Sequence, residues 1–376
     1  MGKAMKMITL IAMAVSLGMP RAAEAREIDL GKINVPEGFK VSLYHDMVPA
    51  ARSLSMGDKG TLFVSTRSGG GRIYAVVDKD KDGVAEEKYT IAQKLNSPNG
   101  IVFKDGSLYV AEISRITRYD DIEDNLENVP EPVVIYDKLP TEGTHGWKYL
   151  EFGPDGKLYF NVGSPCNACD RNKTEDERFA TIMRINADGT DPEIYVRGIR
   201  QCVGFDWHPE DGALWFTDNG ADNLGDDLPS CELNRATEKD QHFGFPYCHG
   251  GDMPDPELGD QRDCAEFVAP ALKLGAHVAP LGAKFYTGTQ FPADYKNSLF
   301  FAEHGSSGRS IPIGYRINVA RPDKDGDVFG FEVFADGWLE GGKSWGRPVD
   351  VLVLDDGSLL VSDDQLGVVY KFTYTG

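Results

Sequence analysis

The amino-acid sequence predicts an all-β fold made of six similar units. The chain has no long window of apolar residues at helical spacing, whereas short runs of Val, Ile, Phe and Tyr recur along it. Many of these runs end in Asp-Gly, a pair typical of β-hairpin turns. Six segments also repeat one pattern, a turn followed by an apolar strand: DKGTLFVST (58–66), DGSLYVAE (105–112), DGKLYFNVG (155–163), DGALWFTDNG (211–220), NSLFFAEHG (297–305) and DGSLLVSDD (356–364).

The spacing of this repeat indicates a six-bladed β-propeller. The repeated leucines, at positions 62, 108, 158, 214, 299 and 359, are 46, 50, 56, 85 and 60 residues apart, close to the length of a propeller blade. Strand-like runs precede and follow each one, so each unit has three or four antiparallel strands. We expect one domain over residues 26–376, with an inserted loop region at about 236–280 that covers one face. A β-sandwich with similar turns is the alternative.

Residues 1–25 have the pattern of a cleaved signal peptide. Lys3 and Lys6 precede an apolar run of about 13 residues, which is followed by Ala-Glu-Ala at 23–25. This run is too short to cross a bilayer, which takes about 20 residues, so we expect no membrane insertion. The predicted location is therefore periplasmic or secreted, with a mature chain that begins near Arg26.

The charge of the chain argues against a polyanionic partner. The formal net charge is −20, from 39 Lys and Arg and 59 Asp and Glu. Nucleic acids and anionic membranes bind clustered Lys and Arg, and the sequence has no such cluster. We therefore expect no nucleic-acid partner.

The six cysteines all lie between residues 166 and 264. An even number in an exported protein indicates disulfides, although the sequence leaves the 15 pairings open. Cys248 with Cys264, around a Pro/Gly-rich loop, is the favoured bridge. Cys166 and Cys169 are followed by Asp170 and not by His, which excludes c-type haem attachment, and export favours a disulfide there over zinc.

Polar residues precede the first strand of each unit. In a propeller these positions converge on one mouth of the central channel, where the second strands also end. They are Arg52, Asn99, His145, Arg200, His277 and Arg347. We therefore predict a polar site at that mouth.

The residue types at this mouth suit an anionic ligand and a proton transfer. Arg200, Arg309 and Arg347 can each bind a carboxylate through paired N–H groups. His145 is a candidate general base, because the ordinary pKa of histidine is about 6.5. The backbone carbonyls of Gly220 and Ala221, beside acidic residues, can hold a hard cation such as calcium.

Longer segments around these residues resemble one enzyme family, the soluble aldose and sorbosone dehydrogenases that depend on pyrroloquinoline quinone (PQQ). The resemblance covers nearly the whole mature chain in order. The segments are THGWKYLEFGPDGKLYFNVG, YVRGIRQCVGFDWHP, FTDNGADNLGDDLPSCELN, HFGFPYCHGG, FAEHGSSGRSIPIGYRI and WGRPVDVLVLDDGSLLVSDD. The resemblance implies a six-bladed propeller that binds PQQ and Ca²⁺ and oxidises a sugar.

The resemblance also implies roles for individual residues. His145 would take the proton of the sugar's anomeric hydroxyl, and Arg200 would stabilise negative charge on the quinone oxygen. The residues implied in cofactor binding are Asn99, Arg200, Gln201, Asn219, Asp227, Arg309 and Arg347, and those implied in calcium binding are Gly220 and Ala221. Electrons would pass to an external acceptor, such as a soluble cytochrome or a quinone.

The sequence departs from the glucose-oxidising members at two of these positions. Gln201 stands where they carry Asn, and Arg309 where they carry Lys. Both changes keep hydrogen-bond donors, so they affect the choice of sugar more than the choice of cofactor. The aromatic residues that cover the quinone are unmatched unless Phe243, Phe245 and Tyr247 supply them.

Asp78, Asp80, Asp82 and Gly83 have the spacing that opens an EF-hand loop. The twelfth position is Tyr89 and not Glu, so the full pattern fails. A second calcium site and a solvated turn both remain open.

Two other functions are compatible with the sequence. A calcium-dependent lactonase on the same fold is suggested by the segments 97–100 (SPNG) and 218–220 (DNG), which resemble metal-binding segments of gluconolactonases. That chemistry needs an axial cluster of carboxylates, and it does not call for three arginines. A non-catalytic binding propeller is the second alternative.

Overall fold

The computed structural model of the chain describes residues 28–169, 176–323 and 325–376. The predicted signal peptide lies outside these residues. Among the described helices, none has the length and hydropathy needed to cross a membrane.

Strands dominate the described residues and form the six blades of a β-propeller, as predicted. Strand β1 (Phe39–His45) is followed by three blades of four strands each. Blade 1 contains β2 (Ala51–Met56), β3 (Thr61–Thr66), β4 (Ile73–Val77) and β5 (Glu87–Ala92). Blade 2 contains β6 (Gly100–Lys104), β7 (Ser107–Ala111), β8 (Ile116–Tyr119) and β9 (Val133–Tyr136). Blade 3 contains β10 (Leu150–Phe152), β11 (Leu158–Val162), β12 (Thr181–Ile185) and β13 (Glu193–Arg197).

The insertion belongs to blade 4, where it separates the third strand from the fourth. This part of the chain runs through β14 (Phe205–Trp207), β15 (Leu214–Asp218), β16 (Glu232–Ala236), the small hairpin of β17 (Cys248–His249) and β18 (Met253–Pro254), and β19 (Leu272–Lys273). The Cys248–Cys264 disulfide lies within the insertion, as predicted. Cys166 and Cys169 are also paired, which favours the disulfide over zinc there.

The chain ends are joined in blade 6. Blade 5 contains β20 (Pro280–Phe285), β21 (Leu299–Glu303), β22 (Arg316–Pro322) and β23 (Val328–Ala335), and the hairpin of β24 (Leu339–Glu340) and β25 (Lys343–Ser344) follows. Blade 6 contains β26 (Pro348–Val353), β27 (Leu359–Asp363) and β28 (Val368–Tyr374), and β1 completes it by pairing with β28 from Phe39↔Tyr374 to His45↔Val369. Short 3₁₀ helices lie at Leu30–Lys32, Ile122–Asp124, Gly259–Gln261, Cys264–Glu266 and Ala293–Tyr295.

The burial of the strands explains the repeat in the sequence. The first strands, such as β2, β6 and β26, contact one another around the axis. The second strands are covered on both faces, so β3 and β11 read as nearly continuous apolar runs. All six repeated leucines lie in second strands and are fully buried. The outer strand β5 alternates between covered and exposed residues, because one of its faces meets solvent.

The Asp-Gly pairs act as hairpin turns, as predicted. Between β6 and β7 the backbone has φ +49° at Asp105 and +79° at Gly106. Positive φ at both central residues is the requirement of a type I′ turn, which Asp-Gly meets at low cost.

We predict that Leu214→Ala lowers the free energy of unfolding by about 2–5 kcal/mol. Leu214 is fully buried in β15 and packs between blades 3 and 4. The matched control is Leu228→Ala, because Leu228 is 50% exposed and its loss should cost about 0.5 kcal/mol or less. Chemical denaturation measures both variants. Equal losses would contradict the assignment of the repeat to the core.

Candidate active site

A cavity of about 210 Å³ lies where the chain enters the first strands and leaves the second strands of the blades. Its polar lining comes from most of the blades. The polar side chains that line it are Arg52, Arg67, His145, Arg200, Gln201, Asn219, Asp222, His277, His304, Ser307 and Arg347. The convergence of polar residues predicted from the repeat is therefore present.

The predicted site residues fall into two groups. His145, Arg200, Gln201, Asn219, Gly220 and Arg347 line the cavity. Asn99, Ala221, Asp227 and Arg309 are not part of its lining. Asn99 is fully buried, accepts from Arg52 Nε at 2.8 Å and donates to the carbonyl of Lys148 at 2.8 Å, so it supports Arg52 from behind.

His145 has a defined tautomer. Its Nδ1 lies 2.8 Å from the carbonyl oxygen of Ser164. Because a carbonyl only accepts, Nδ1 carries the proton and Nε2 keeps a free lone pair. Burial, followed by the charge of Arg200, lowers the pKa of His145 to about 4. His145 is therefore neutral at pH 7 and has a nitrogen available to accept a proton.

Arg200 is fixed from several directions. Its guanidinium donates to Asp222 at 2.8 Å and to the carbonyl and side-chain oxygens of Asn167, each at 2.9 Å. Asn167 lies between the paired Cys166 and Cys169, so this short loop positions Arg200. A charged group held in this way can stabilise negative charge without rearrangement.

Asp218 holds the backbone beside Arg200. Its two oxygens accept from the main-chain N–H groups of Arg200 at 2.9 Å and Gln201 at 2.6 Å. Asp218 stands opposite Glu232 in the register of β15 and β16. Burial, and then the neighbouring Glu232, raise the pKa of Asp218 to about 8.

Gln201 and Asn219 connect parts of the wall. With its amide oriented to satisfy both neighbours, the Gln201 side chain donates to the carbonyl of His145 at 3.0 Å and accepts from Trp147 Nε1 at 3.2 Å. Asn219 donates to the carbonyls of Gln201 at 2.9 Å and Pro280 at 3.1 Å. These bonds tie blades 3, 4 and 5 together at the cavity.

Two further side chains of the lining, Arg67 and His304, were not assigned roles from the sequence. Arg67 lies over the ring of Trp147, 4.4 Å from its centre, and both side chains line the cavity. Arg347 Nε donates to the carbonyl of His304 at 3.3 Å, and its guanidinium lies 5.9 Å from the ring centre of Tyr315. Arg67 directly follows β3 and His304 directly follows β21, so the ends of the second strands carried the signal for both.

Trp147 is the aromatic side chain of the lining. The aromatic residues expected to cover a bound ring, Phe243, Phe245 and Tyr247, are buried in the insertion and do not line the cavity. Phe243 instead packs edge-on against Phe216 of β15, with ring centres 4.9 Å apart.

Arg309 and Asp227 form an ion pair with a 3.0 Å separation between Nη2 and Oδ1. Arg309 also donates to the carbonyls of Asp226 and Ile311. His277 Nε2 donates to the carbonyl of Gly225 at 2.8 Å. These contacts hold the loop that follows β15 against blade 5.

The carbonyl oxygens of Gly220 and Ala221 accept no hydrogen bond from the residues that the structure describes. A hard cation prefers oxygen ligands of this kind. Gly220 lines the cavity, whereas Ala221 is buried and lies outside the lining. The acidic side chains that lie close enough to share a cation, within the described residues, are Asp78, Asp80, Asp82 and Glu86, whose ligand atoms are within 4.8 Å of one another. This cluster lies outside the cavity.

Comparisons with known proteins identify the family of the chain. The model of the glucose/sorbosone dehydrogenase family matches residues 104–307. An uncharacterised protein of Borreliella burgdorferi is 34% identical over 356 residues, with 91% of each chain covered.

Solved structures share the fold at low sequence identity. The holo form of the PQQ domain of a pyranose dehydrogenase from Coprinopsis cinerea superposes with a TM-score of 0.77 and 19% identity, covering 91% of this chain and 97% of that one. The calcium structure of a family AA12 carbohydrate-active enzyme from Trichoderma reesei has a TM-score of 0.78 and 19% identity, with 93% and 99% covered. The family match, which spans more than half of the chain, carries the conclusion that the chain belongs to the glucose/sorbosone dehydrogenase family.

Proposed function

We propose that the chain is a PQQ-dependent dehydrogenase that oxidises an aldose or a related sugar aldehyde to the lactone or acid. The observation that carries the proposal is one cavity in which a neutral histidine with a free nitrogen faces several guanidinium groups. The histidine is His145, and the guanidinium groups belong to Arg52, Arg67, Arg200 and Arg347.

The charges of the cavity fit a flat polycarboxylate such as PQQ. The carboxylates bound to the four guanidinium groups are those of Asp222 and Asp364, so a cationic surplus remains. Arg67 and Arg347 form no ion pair with a carboxylate in the described residues, which leaves their N–H groups for an anionic ligand. The indole of Trp147 offers an aromatic face beside them.

Different residues of the cavity have different roles in the proposed reaction. PQQ, when bound, would supply the hydride acceptor for the sugar carbon. Nε2 of His145 accepts the hydroxyl proton of the sugar, since Nδ1 is already protonated. Arg200 would stabilise negative charge on a quinone oxygen, and Gln201 and Asn219, which line the cavity beside it, would contact the cofactor.

The remaining predicted residues act from the edge of the site. The carbonyls of Gly220 and Ala221 would hold Ca²⁺, which suits their lack of other partners. Asn99 acts by fixing Arg52. Arg309 would bind a carboxylate of the cofactor only after leaving Asp227, so its contribution is smaller than that of Arg347.

The lactonase alternative receives no support from the cavity. It needs metal-binding carboxylates and amides from the 97–100 and 218–220 segments. Asn99 is engaged by Arg52 and Lys148, and both oxygens of Asp218 accept main-chain N–H groups.

We further propose that the protein is exported by residues 1–25 and passes electrons to an external acceptor.

We predict that the mature protein reduces a dye with aldoses only when both PQQ and Ca²⁺ are present. His145→Ala should lower kcat by at least ~100-fold, the usual scale for losing a general base, while PQQ still binds. The control is His208→Ala, because His208 is buried outside the cavity and pairs with Asp211. Lactone hydrolysis without PQQ would support the lactonase, and neither activity would indicate a binding protein.

We predict that His145 titrates near pH 4 in the cofactor-free protein, because burial and Arg200 both lower its pKa. The ring stays neutral from pH 7 down to about this value and is protonated only below it. An NMR titration of the ring signals measures the midpoint, with His145→Gln used to assign them. A midpoint near 6.5 would mean that the ring is solvated and the cavity is not as described.

We predict that Arg347→Gln weakens PQQ binding by about ten- to hundred-fold, the range for one hydrogen bond to a charged group. Arg309→Gln should weaken it by about three-fold or less, because Asp227 already occupies that guanidinium. Fluorescence titration with PQQ at fixed Ca²⁺ compares the two variants. A larger loss from Arg309→Gln would reverse the assignment of the carboxylate-binding residues.

A further inference from the structure

His304 is one of the three histidines that line the cavity, with His145 and His277, and the proposed chemistry does not use it. It directly follows β21 in blade 5, and its side chain is 9% exposed. Its Nε2 lies 2.8 Å from Oδ1 of Asp364, which directly follows β27 in blade 6. The pair therefore joins the ends of two second strands at the channel mouth.

Asp364 fixes which nitrogen of His304 carries the proton. Burial by itself raises the pKa of Asp364. The hydrogen bond with His304 and the charges of Arg52 and Arg347 outweigh this effect, so the pKa of Asp364 lies well below its ordinary value. An ionised carboxylate only accepts, so Nε2 of His304 is protonated and Nδ1 has a free lone pair. Nδ1 has no partner among the described residues and is open to the cavity.

Both oxygens of Asp364 are committed. Oδ2 accepts from Nη1 of Arg52 at 3.1 Å. Arg52 is 3% exposed and is itself held by Asn99. Asp364 therefore cannot rotate to offer its oxygens elsewhere without leaving a buried guanidinium unpaired. The row of Asn99, Arg52, Asp364 and His304 is a continuous chain of hydrogen bonds that ends at the cavity.

The groups that face His304 determine what it can bind. Arg52, Arg67 and Arg347 are the cations near the pair, and Asp364 is the anion. Burial lowers the pKa of His304 to about 4 although Asp364 opposes this, so the ring is neutral at pH 7. An unprotonated nitrogen repels a carboxylate and accepts from a hydroxyl group. The arginines thus suit the anionic cofactor, whereas His304 suits a hydroxylated ligand.

We propose that His304 binds a hydroxyl group of the sugar through Nδ1, and that Asp364 is a positioning residue that keeps this nitrogen unprotonated. The proposal rests on the proposed function for its sugar, and it adds a second hydrogen-bond acceptor to His145. Two such acceptors in one cavity select substrates that carry at least two correctly spaced hydroxyl groups.

Asp364→Asn tests the positioning role without changing the size of the side chain. Arg52 only donates, so it retains the amide oxygen of the new side chain, and the amide NH₂ then faces Nε2 of His304. This donor forces the proton of His304 onto Nδ1, so Nδ1 can no longer accept. His304→Leu removes the acceptor altogether, and His304→Gln provides a different one.

We predict that Asp364→Asn and His304→Leu each raise KM for the sugar by about ten-fold, the upper range for one neutral hydrogen bond. His304→Gln should recover part of the loss. Values of kcat within about three-fold of wild type are expected for all three, and an unchanged Kd for PQQ is expected for the two His304 variants. Among sugars that lack a single hydroxyl group, one should bind the wild type more weakly than the parent sugar does. The same deoxy sugar should bind equally to the wild type and to His304→Leu.

A second measurement does not require the enzyme to have PQQ bound. Nitrogen NMR of the cofactor-free protein should find the His304 proton on Nε2 in the wild type and on Nδ1 in Asp364→Asn. A wild-type proton on Nδ1 would overturn the proposal. A His304→Leu variant with unchanged KM would also overturn it, whether or not its affinity for PQQ falls.

Failure of the proposed function is distinguishable from failure of this inference. If the wild type shows no PQQ-dependent oxidation of any aldose, the proposed function is wrong. The His304 ring signals then decide the inference by themselves, since added sugar should shift them in the wild type and leave them unchanged in Asp364→Asn. Absence of a shift in the wild type would contradict it.

Discussion

The pairing of β1 with β28 is the interaction on which the rest of the structure depends. It joins the two ends of the described chain and completes blade 6. Phe39 of β1 packs its ring against Phe291 and Phe334, with centres 4.8 and 5.0 Å apart, which locks the joined blade onto blade 5. Only a closed ring brings the starts of the six first strands to one mouth of the channel. The cavity therefore exists because the ends of the chain meet.

Closure also explains why so many charged groups are tolerated at the mouth. Arg52, Asp218 and His304 are nearly inaccessible to solvent, and a buried polar group is costly unless it is hydrogen-bonded. Each is held by partners from another strand or blade: Arg52 by Asn99 and Asp364, Asp218 by main-chain N–H groups, and His304 by Asp364. These bonds fix the donors and acceptors before any ligand arrives, and electrostatic stabilisation by preorganised groups is usually the largest single contribution that a protein makes to catalysis.

Much of the fold could be predicted from the sequence, because one physical requirement recurs six times. A second strand covered on both faces needs a continuous apolar run, and the turn before it needs residues that accept positive φ. The Leu repeat and its Asp-Gly turns could therefore be recognised in the sequence. The site was predicted in part. His145, Arg200 and Arg347 followed from their places before inner strands, but the roles of His304 and Asp364 depend on a contact between two blades, 60 residues apart in sequence, that no local pattern encodes. The pairing of Arg309 with Asp227 and the burial of Asn99 behind Arg52 were hidden for the same reason.

A crystal structure of the protein grown with PQQ and Ca²⁺ would test the central claim most directly. The account predicts the cofactor in the mouth of the channel, with a quinone oxygen beside Arg200, a carboxylate on Arg347, and the cation on the carbonyls of Gly220 and Ala221. A cavity that stays empty at saturating PQQ, or a cofactor bound elsewhere on the propeller, would contradict it.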